Sequence, residues 1–184
     1  DRRIPRTTAN IDPLVVCSAG VFVIDAKRYV DCRPELRVEG GLIRARTESL
    51  FVGGRDKTKL VDGMHRQLDL VRAALADHAE VPLRGVLCFV DADWPLIGGD
   101  FTVRDVAVVW PKKLFKILMQ PGPLEADHIA DLQDGSEGKL AAMEQAILLD
   151  ADIDKGPKVN HVAHCAFELQ ARQQVIHRQY VAAQ

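Results

Sequence analysis

The sequence predicts an α/β fold in which a mixed sheet is flanked by helices, with a C-terminal helical appendage. Two features predict the sheet and its helices: short apolar, β-branched runs separated by glycine-containing turns, and one stretch in which apolar residues recur at helical spacing. A third feature predicts the appendage, because the chain becomes acidic and rich in turn residues after Pro121. The composition, 47% hydrophobic and 27% charged residues in 184, is that of a soluble globular protein.

The first elements are predicted to be two hairpins. Residues 11–17 and 21–29 read as strands joined by the tight turn "SAG", which makes them antiparallel neighbours. The stretch "GGLIRARTESLFVGG", from Gly40 to Gly54, is bounded by glycine pairs and alternates in its first half, which favours a second hairpin.

A helix, two further strands and a second helix are expected next. From Asp56 to about Asp77 apolar residues follow the helical period, and Asp56 or Thr58 could cap the helix. Residues 86–90 and 106–111 read as buried strands, the second closed by Pro111, and the basic segment "KKLFKIL" reads as a helix after it.

We expect one domain over residues 1–121 and a helical appendage over residues 122–184, with helices at 137–149 and about 160–182. The chain begins at Asp1 without Met, so we also expect it to be a piece of a longer chain.

Hydropathy argues against a membrane partner, and the distribution of charge indicates where a polyanion would bind. No apolar run approaches the roughly 20 residues of a membrane helix, and no signal peptide is recognisable, so we expect no membrane partner and a cytoplasmic location. Residues 1–75 hold 14 Lys and Arg against 10 Asp and Glu, whereas residues 76–184 hold 10 against 16. A polyanion should therefore meet the first part of the chain.

The segment "GVFVIDAKRY" places two opposite charges, Asp25 and Lys27, at the end of an apolar strand. Side chains two residues apart in a strand share a face. If Ser18 and Ala19 form a two-residue turn, Asp12 lies across from Asp25, with Cβ atoms roughly 5 Å apart. A register shifted by two would oppose Asp12 to Lys27 and keep all three on one face, whereas a slip of one would separate them.

Two carboxylates so close repel each other unless a cation joins them, and that cation is either Lys27 or a divalent metal. Ligation by two carboxylates suits Mg²⁺ or Mn²⁺, which can generate and orient an attacking water. Lys27 would act beside that water as a base, or beside a phosphate as an electrostatic stabiliser. The pattern predicts phosphodiester hydrolysis, with Asp12 and Asp25 as metal ligands. A salt bridge at a strand end is the alternative for Asp25 and Lys27.

These residues resemble the PD-(D/E)xK signature of restriction-endonuclease-like enzymes. More closely, "ANIDPLVV", "GVFVIDAKRY", "VGGRDKTKLVDG" and "RGVLCFVDADWPL" together resemble the nuclease-related domain (NERD) family of bacterial proteins, over roughly residues 1–120. The resemblance implies a restriction-endonuclease-like sheet, a metal-dependent endonuclease-like activity and Gln67 as a further site residue. It also implies a helix before the first strand, often with a glutamate that joins the site, which we expect to precede Asp1.

Several assignments have alternatives. Gln67 could equally make hydrogen bonds at the edge of the apolar stripe. Asp91 and Asp93 read as turn residues after a strand. A basic set could line a nucleic-acid-binding face, DNA being the expected partner, or form a solvated surface; it comprises Arg44, Arg46, Arg55, Lys57, Lys59 and Arg66.

Two functions therefore follow from the sequence. The intact Asp12 and Asp25-x-Lys27 favour a metal-dependent nuclease-like domain acting on nucleic acid. Pro13, where the family usually has His, and the upstream acid outside this chain favour a catalytically inactive module that binds nucleic acid or a protein. The segment "HVAHC", with His161, His164 and Cys165 at helical spacing, has no fourth ligand beside it and is a weak zinc motif.

Overall fold

The computed structural model describes residues 14–41, 45–96 and 99–134, which form two β-sheets and the helices that cover them. The strands are β1 (Leu14–Cys17), β2 (Gly20–Arg28), β3 (Pro34–Glu39), β4 (Thr47–Val52), β5 (Arg55–Asp56), β6 (Leu83–Val90), β7 (Phe101–Val103) and β8 (Val106–Val109). The helices are α1 (Thr58–Ala74), α2 (Pro111–Leu118) and α3 (Ala126–Asp134), with a 3₁₀ turn at Ala76–His78. The predicted α/β class is confirmed.

The larger sheet has the strand order β1-β2-β6-β8-β7. β1 and β2 are antiparallel, as are β7 and β8, whereas β2, β6 and β8 run parallel. The predicted mixed sheet is therefore confirmed. α1 makes the crossover from the small sheet to β6, so β6 can lie parallel beside β2.

The β1–β2 hairpin has the register that its two-residue turn predicts. Leu14 opposes Val23 and Cys17 opposes Gly20, with Ser18 and Ala19 in the turn. Gly20 has a φ of 127°, and a Cβ there would collide with the Pro82 carbonyl, so glycine is required at this position. Asp12, which the sequence predicts opposite Asp25, lies outside the described residues.

The second hairpin differs from the prediction. The strand β4 lies within the predicted stretch, but its partner is β3, Pro34–Glu39, and the order of the small sheet is β3-β4-β5. Arg46 precedes β4 outside any strand, and residues 42–44 lie outside the described part. β3 was not predicted although Leu36 and Val38 alternate with Glu35, Arg37 and Glu39, because the run has only six residues and begins with a proline.

The larger sheet is covered on both faces. Val21 and Val23 of β2 belong to the apolar cluster that contains Val61 and Met64 of α1. The opposite face carries a second cluster, formed by Phe22, Ile24, Val86 and Cys88 with Leu114 and Leu118 of α2. Pro111 stands at the start of α2, where its missing N–H costs no hydrogen bond.

The first residues of the predicted appendage pack on the domain. The backbone N–H of Leu124 donates to the Ser18 carbonyl at 3.1 Å, and Leu124 and Leu132 are buried in the α1-side cluster. The expected turn-rich connection contains the helix α3, because Leu132 offers a buried anchor eight residues after Leu124. The predicted helices at 137–149 and 160–182 lie outside the described residues.

Candidate functional site

The face of β2 that bears Asp25 and Lys27 looks toward α1. Side chains alternate along a strand, so residues 25 and 27 follow Val21 and Val23 on one face. Those two valines are buried with Val61 and Met64 of α1. α1 thus covers the apolar part of β2. The charged pair lies near the C-terminal end of the strand, where the side chains become more exposed.

Asp25 and Lys27 form an ion pair. The Lys27 Nζ lies 3.1 Å from Asp25 Oδ1, and the two side chains are 30% and 11% exposed, respectively. Within the described part of the chain, Asp25 is the one charged residue that is buried. A buried carboxylate is costly unless a cation or hydrogen-bond donor compensates it. The pair therefore satisfies the carboxylate while leaving the ammonium within reach of solvent.

Gln67 lies on the side of α1 that packs against this face of the sheet. It stands between the buried Met64 and Val71, and its Oε1 atom is buried. Met64 lies directly over Gly85, where a Cβ would come within 2.6 Å of the Met64 Cγ atom, and Gly85 pairs with Val23. Gln67 thus belongs to the same layer between helix and sheet as the Asp25–Lys27 pair.

The beginning of α1 provides positive charge beside the end of β2. The Lys57 Nζ lies 5.6 Å from the centre of the Tyr29 ring, and Tyr29 follows Lys27 by two residues. Lys59 and Arg55 are exposed nearby in the chain, and the first turn of α1 carries no acidic residue. The helix dipole adds to this positive charge. Three basic residues therefore stand at the beginning of α1.

The Asp56 side chain accepts a hydrogen bond at the same end of the helix. Its Oδ1 accepts a hydrogen bond from the Thr58 N–H at 2.8 Å. The hydrogen bonds from Thr58, side chain and backbone, lower the pKa of this carboxyl group from its ordinary value. Of the two predicted capping residues, Asp56 receives the helix N–H, whereas the Thr58 hydroxyl accepts from the Leu50 N–H at 3.1 Å.

The other predicted basic residues are dispersed. Arg46 pairs with Glu48 at 3.1 Å. Arg66 is exposed on α1, and Arg44 lies outside the described residues. The structure therefore groups Arg55, Lys57 and Lys59 at one helix end and sets Arg46 apart on the small sheet.

A groove that the sequence did not indicate lies beside Arg46. Its volume is about 460 Å³, and Arg46, Glu48, Thr58 and Arg104 are among the residues that line it. Arg104 has a φ of 50°, and its conformation is held by contacts to three residues: its N–H donates to Glu48 at 2.9 Å, its guanidinium pairs with Asp62 at 2.6 Å, and its carbonyl accepts from His65 at 2.8 Å. Of the lining residues, Glu48 thus contacts both Arg46 and Arg104.

Asp91 and Asp93 have exposed arginine partners. Arg28 lies 2.7 Å from Asp91, and Arg33 lies 3.5 Å from Asp93. Asp91 also has a φ of 58°, a conformation that aspartate tolerates in turns. These contacts agree with the turn role expected for both residues.

Comparisons with protein-family models, with curated proteins and with solved structures found no match for this chain. The described helices include none with the length and apolar character needed to cross a membrane.

Proposed function

We propose that this chain is a metal-dependent, nuclease-like domain that acts on phosphodiester bonds of nucleic acid, built on a restriction-endonuclease-like sheet. The observation that carries the proposal is the Asp25–Lys27 ion pair. A buried carboxylate and a solvent-accessible ammonium lie 3.1 Å apart on one face of the central sheet, and Tyr29 of the same segment contacts Lys57 at the basic helix end. Catalytic sites commonly hold such charged groups in partly desolvated positions.

The donor set fits a hard divalent cation. The Asp25 carboxylate supplies oxygen ligands of the kind that Mg²⁺ and Mn²⁺ accept, and Asp12 is the residue that the sequence predicts opposite it. When bound, such an ion would polarise a phosphoryl oxygen and lower the pKa of a water ligand. Asp25 would hold the ion, with Asp12 as the second proposed ligand.

Lys27 would stabilise the charge that develops on the phosphate. Its side chain is 30% exposed, so the ammonium is accessible to a ligand while it stays beside Asp25. An ammonium fixed near the reacting phosphate stabilises the transition state more strongly than one in bulk water. Gln67, in the same layer, would position Asp25 or a water by hydrogen bonding.

The basic end of α1 would bind the nucleic-acid backbone. Each phosphate neutralised by Lys or Arg releases counterions, so affinity falls linearly on a log–log plot against salt. Because each neutralised phosphate of duplex DNA adds about 0.9 to that slope, replacing both Lys57 and Lys59 by Gln should make it shallower by about 1.8. Replacing Arg46, which is held by Glu48 at 3.1 Å, should change the slope less. Arg44 and Arg66 complete the proposed binding set.

A second candidate is a catalytically inactive module that binds nucleic acid. The Asp25 carboxylate is already compensated by Lys27 at 3.1 Å, which a structural salt bridge would also achieve without a metal. In that case nucleic acid would still bind at the basic helix end, but no divalent ion would be required.

Cleavage of plasmid and single-stranded DNA, with Mg²⁺, Mn²⁺ or EDTA, separates the two candidates. The full chain should cleave only with metal, and Asp25→Asn and Lys27→Met should each abolish cleavage. Arg28→Met is the matched control, because Arg28 lies next to Lys27 in the strand but on the other face, in an exposed pair with Asp91. If the chain binds DNA but cleaves it under none of these conditions, the result supports the second candidate, the inactive binding module. Equal cleavage by Asp25→Asn and the parent would refute the proposed site.

A further inference from the structure

A second group of ligand-type side chains lies beyond the C-terminal end of α1. His78, Glu80 and His128 each offer a donor atom, and these atoms all lie within 4.8 Å of one another. His78 ends the 3₁₀ turn after α1, Glu80 follows it by two residues, and His128 comes from α3, 50 residues later than His78. A helix of 17 residues is about 25 Å long, so this group is well separated from the basic end of α1.

The geometry approaches that of a shared metal ion. Two ligands that each lie about 2.0–2.1 Å from one tetrahedral ion are about 3.3 Å apart. The His128 Nε2 atom lies 3.6 Å from Glu80 Oε1. The imidazole rings of His78 and His128 have centres 5.8 Å apart and planes inclined at 49°, so they are not stacked on each other. Small rotations of the side chains would bring all three donors onto one ion.

We propose that His78, Glu80 and His128 bind a divalent transition-metal ion of the zinc class. Two imidazoles and one carboxylate are a ligand set that suits Zn²⁺, whereas Mg²⁺ prefers oxygen ligands alone. The side chains of His128 and Glu80 are 32% and 65% exposed, which leaves room for a water as the fourth ligand. This site does not depend on the function proposed for Asp25 and Lys27.

The ion would fasten α3 to the connection between α1 and β6. Without it, the described contacts of α3 with the rest of the domain include the buried Leu132 and the Glu80–His128 pair. With it, His128 would be joined to the turn that precedes Val81, a core residue. Because His128 lies 50 residues from His78 in the sequence, the ion would bind the folded chain far better than the unfolded chain and would stabilise the fold.

Zinc titration of the full chain tests the proposal. A chromophoric chelator in competition should report one Zn²⁺ per chain with a Kd in the micromolar range or tighter, and His78→Ala or His128→Ala should weaken it at least tenfold. Glu80→Gln should weaken it less, because a neutral amide oxygen still offers a ligand atom. His65→Ala is the control, since His65 lies on α1 and contacts Arg104, outside this group; its affinity should equal that of the parent.

The weak motif at His161, His164 and Cys165 must be removed from the measurement. All titrations are therefore repeated in a background that carries His161→Ala, His164→Ala and Cys165→Ser, where the proposed site predicts unchanged affinity. If these three substitutions by themselves abolish zinc binding, the proposal is overturned. So would a parent chain that binds no Zn²⁺ tighter than 100 µM.

A chemical measurement needs no variant. Diethyl pyrocarbonate modifies accessible imidazoles, and peptide mass spectrometry identifies which histidines react. Saturating Zn²⁺ should protect His78 and His128 together by at least fivefold and leave His65 unchanged. Equal modification of His78 and His128 with and without Zn²⁺ would refute the site, whether or not the alanine variants fold.

Discussion

The Asp25–Lys27 pair should respond asymmetrically to the loss of either charge. At 3.1 Å, the Coulomb attraction is about 1 kcal/mol with the dielectric constant of water and about 5 kcal/mol at an effective value of 20. Desolvation offsets part of this attraction, and the carboxylate, 11% exposed, is more desolvated than the ammonium, 30% exposed. Removing the cation should therefore destabilise the protein more than removing the anion.

We predict that Lys27→Met lowers the free energy of unfolding by about 2–3 kcal/mol, because a buried carboxylate loses its nearest cation while the aliphatic stem stays. Asp25→Asn should lower it by about 1 kcal/mol or less, since the amide oxygen still accepts from Lys27 and water can reach the ammonium. Urea unfolding without divalent metal measures both, and the melting temperature should fall by about 3 °C per kcal/mol.

Added Mg²⁺ then separates a metal site from a simple salt bridge. At ten times its Kd, a ligand that binds only the folded state stabilises it by about 1.4 kcal/mol. We expect this gain in the parent, a larger gain in Lys27→Met, where the ion replaces the lost cation, and none in Asp25→Asn. A greater loss for Asp25→Asn than for Lys27→Met would refute the asymmetry. The same Mg²⁺ effect in all three proteins would refute the role of Asp25 as a ligand.

Three further predictions concern packing, helix capping and thiol reactivity. Gly85→Ala should destabilise the fold by about 1–3 kcal/mol in urea unfolding, because the new Cβ would lie 2.6 Å from Met64 Cγ. Gly63→Ala should instead stabilise α1 by about 0.5–1 kcal/mol, because the nearest atom to its Cβ is an arginine nitrogen 3.8 Å away and alanine favours a helix more than glycine does. The lowered pKa of Asp56 contributes stability that is present above its unfolded pKa and is lost as pH falls through its folded pKa, so the difference in unfolding free energy between the parent and Asp56→Asn should shrink over that acidic range. Burial raises the pKa of the Cys17 thiol, so iodoacetamide at pH 8 should label Cys17 in urea but not in the native protein, as read by mass spectrometry.

The elements that the sequence predicted are those whose signal is local. The β1–β2 register follows from a turn of two residues, and the period of two then places Asp25 and Lys27 on one face. α1 is visible because its apolar residues recur at helical spacing and end in the buried Val71. In each case all the information lies within one element or one tight turn.

β7, which the sequence did not predict, lacks such a signal. β7 has three residues, and it turns into β8 through Arg104 and Asp105, which have φ values of 50° and 67° although neither is glycine. The contacts that hold Arg104 come from Glu48 and Asp62, more than 40 residues away in the sequence. At this turn, contacts from distant residues hold Arg104 in a positive-φ conformation that glycine would adopt without them. A short stretch of sequence does not contain these contacting residues, so the turn cannot be read from it.

The same distinction explains which candidate site could be foreseen. Asp25 and Lys27 are two residues apart, so strand geometry alone brings their side chains together. His78 and His128 come from different helical segments, and they lie near each other where Leu124, Ile129 and Leu132 pack against the domain. The acidic composition after Pro121 predicts a helical appendage, and Leu124, Ile129 and Leu132 pack its first described residues against the core. The proposed zinc ligands thus come together through the packing of a few apolar side chains of distant segments, whereas Asp25 and Lys27 share a face because side chains alternate along a single strand.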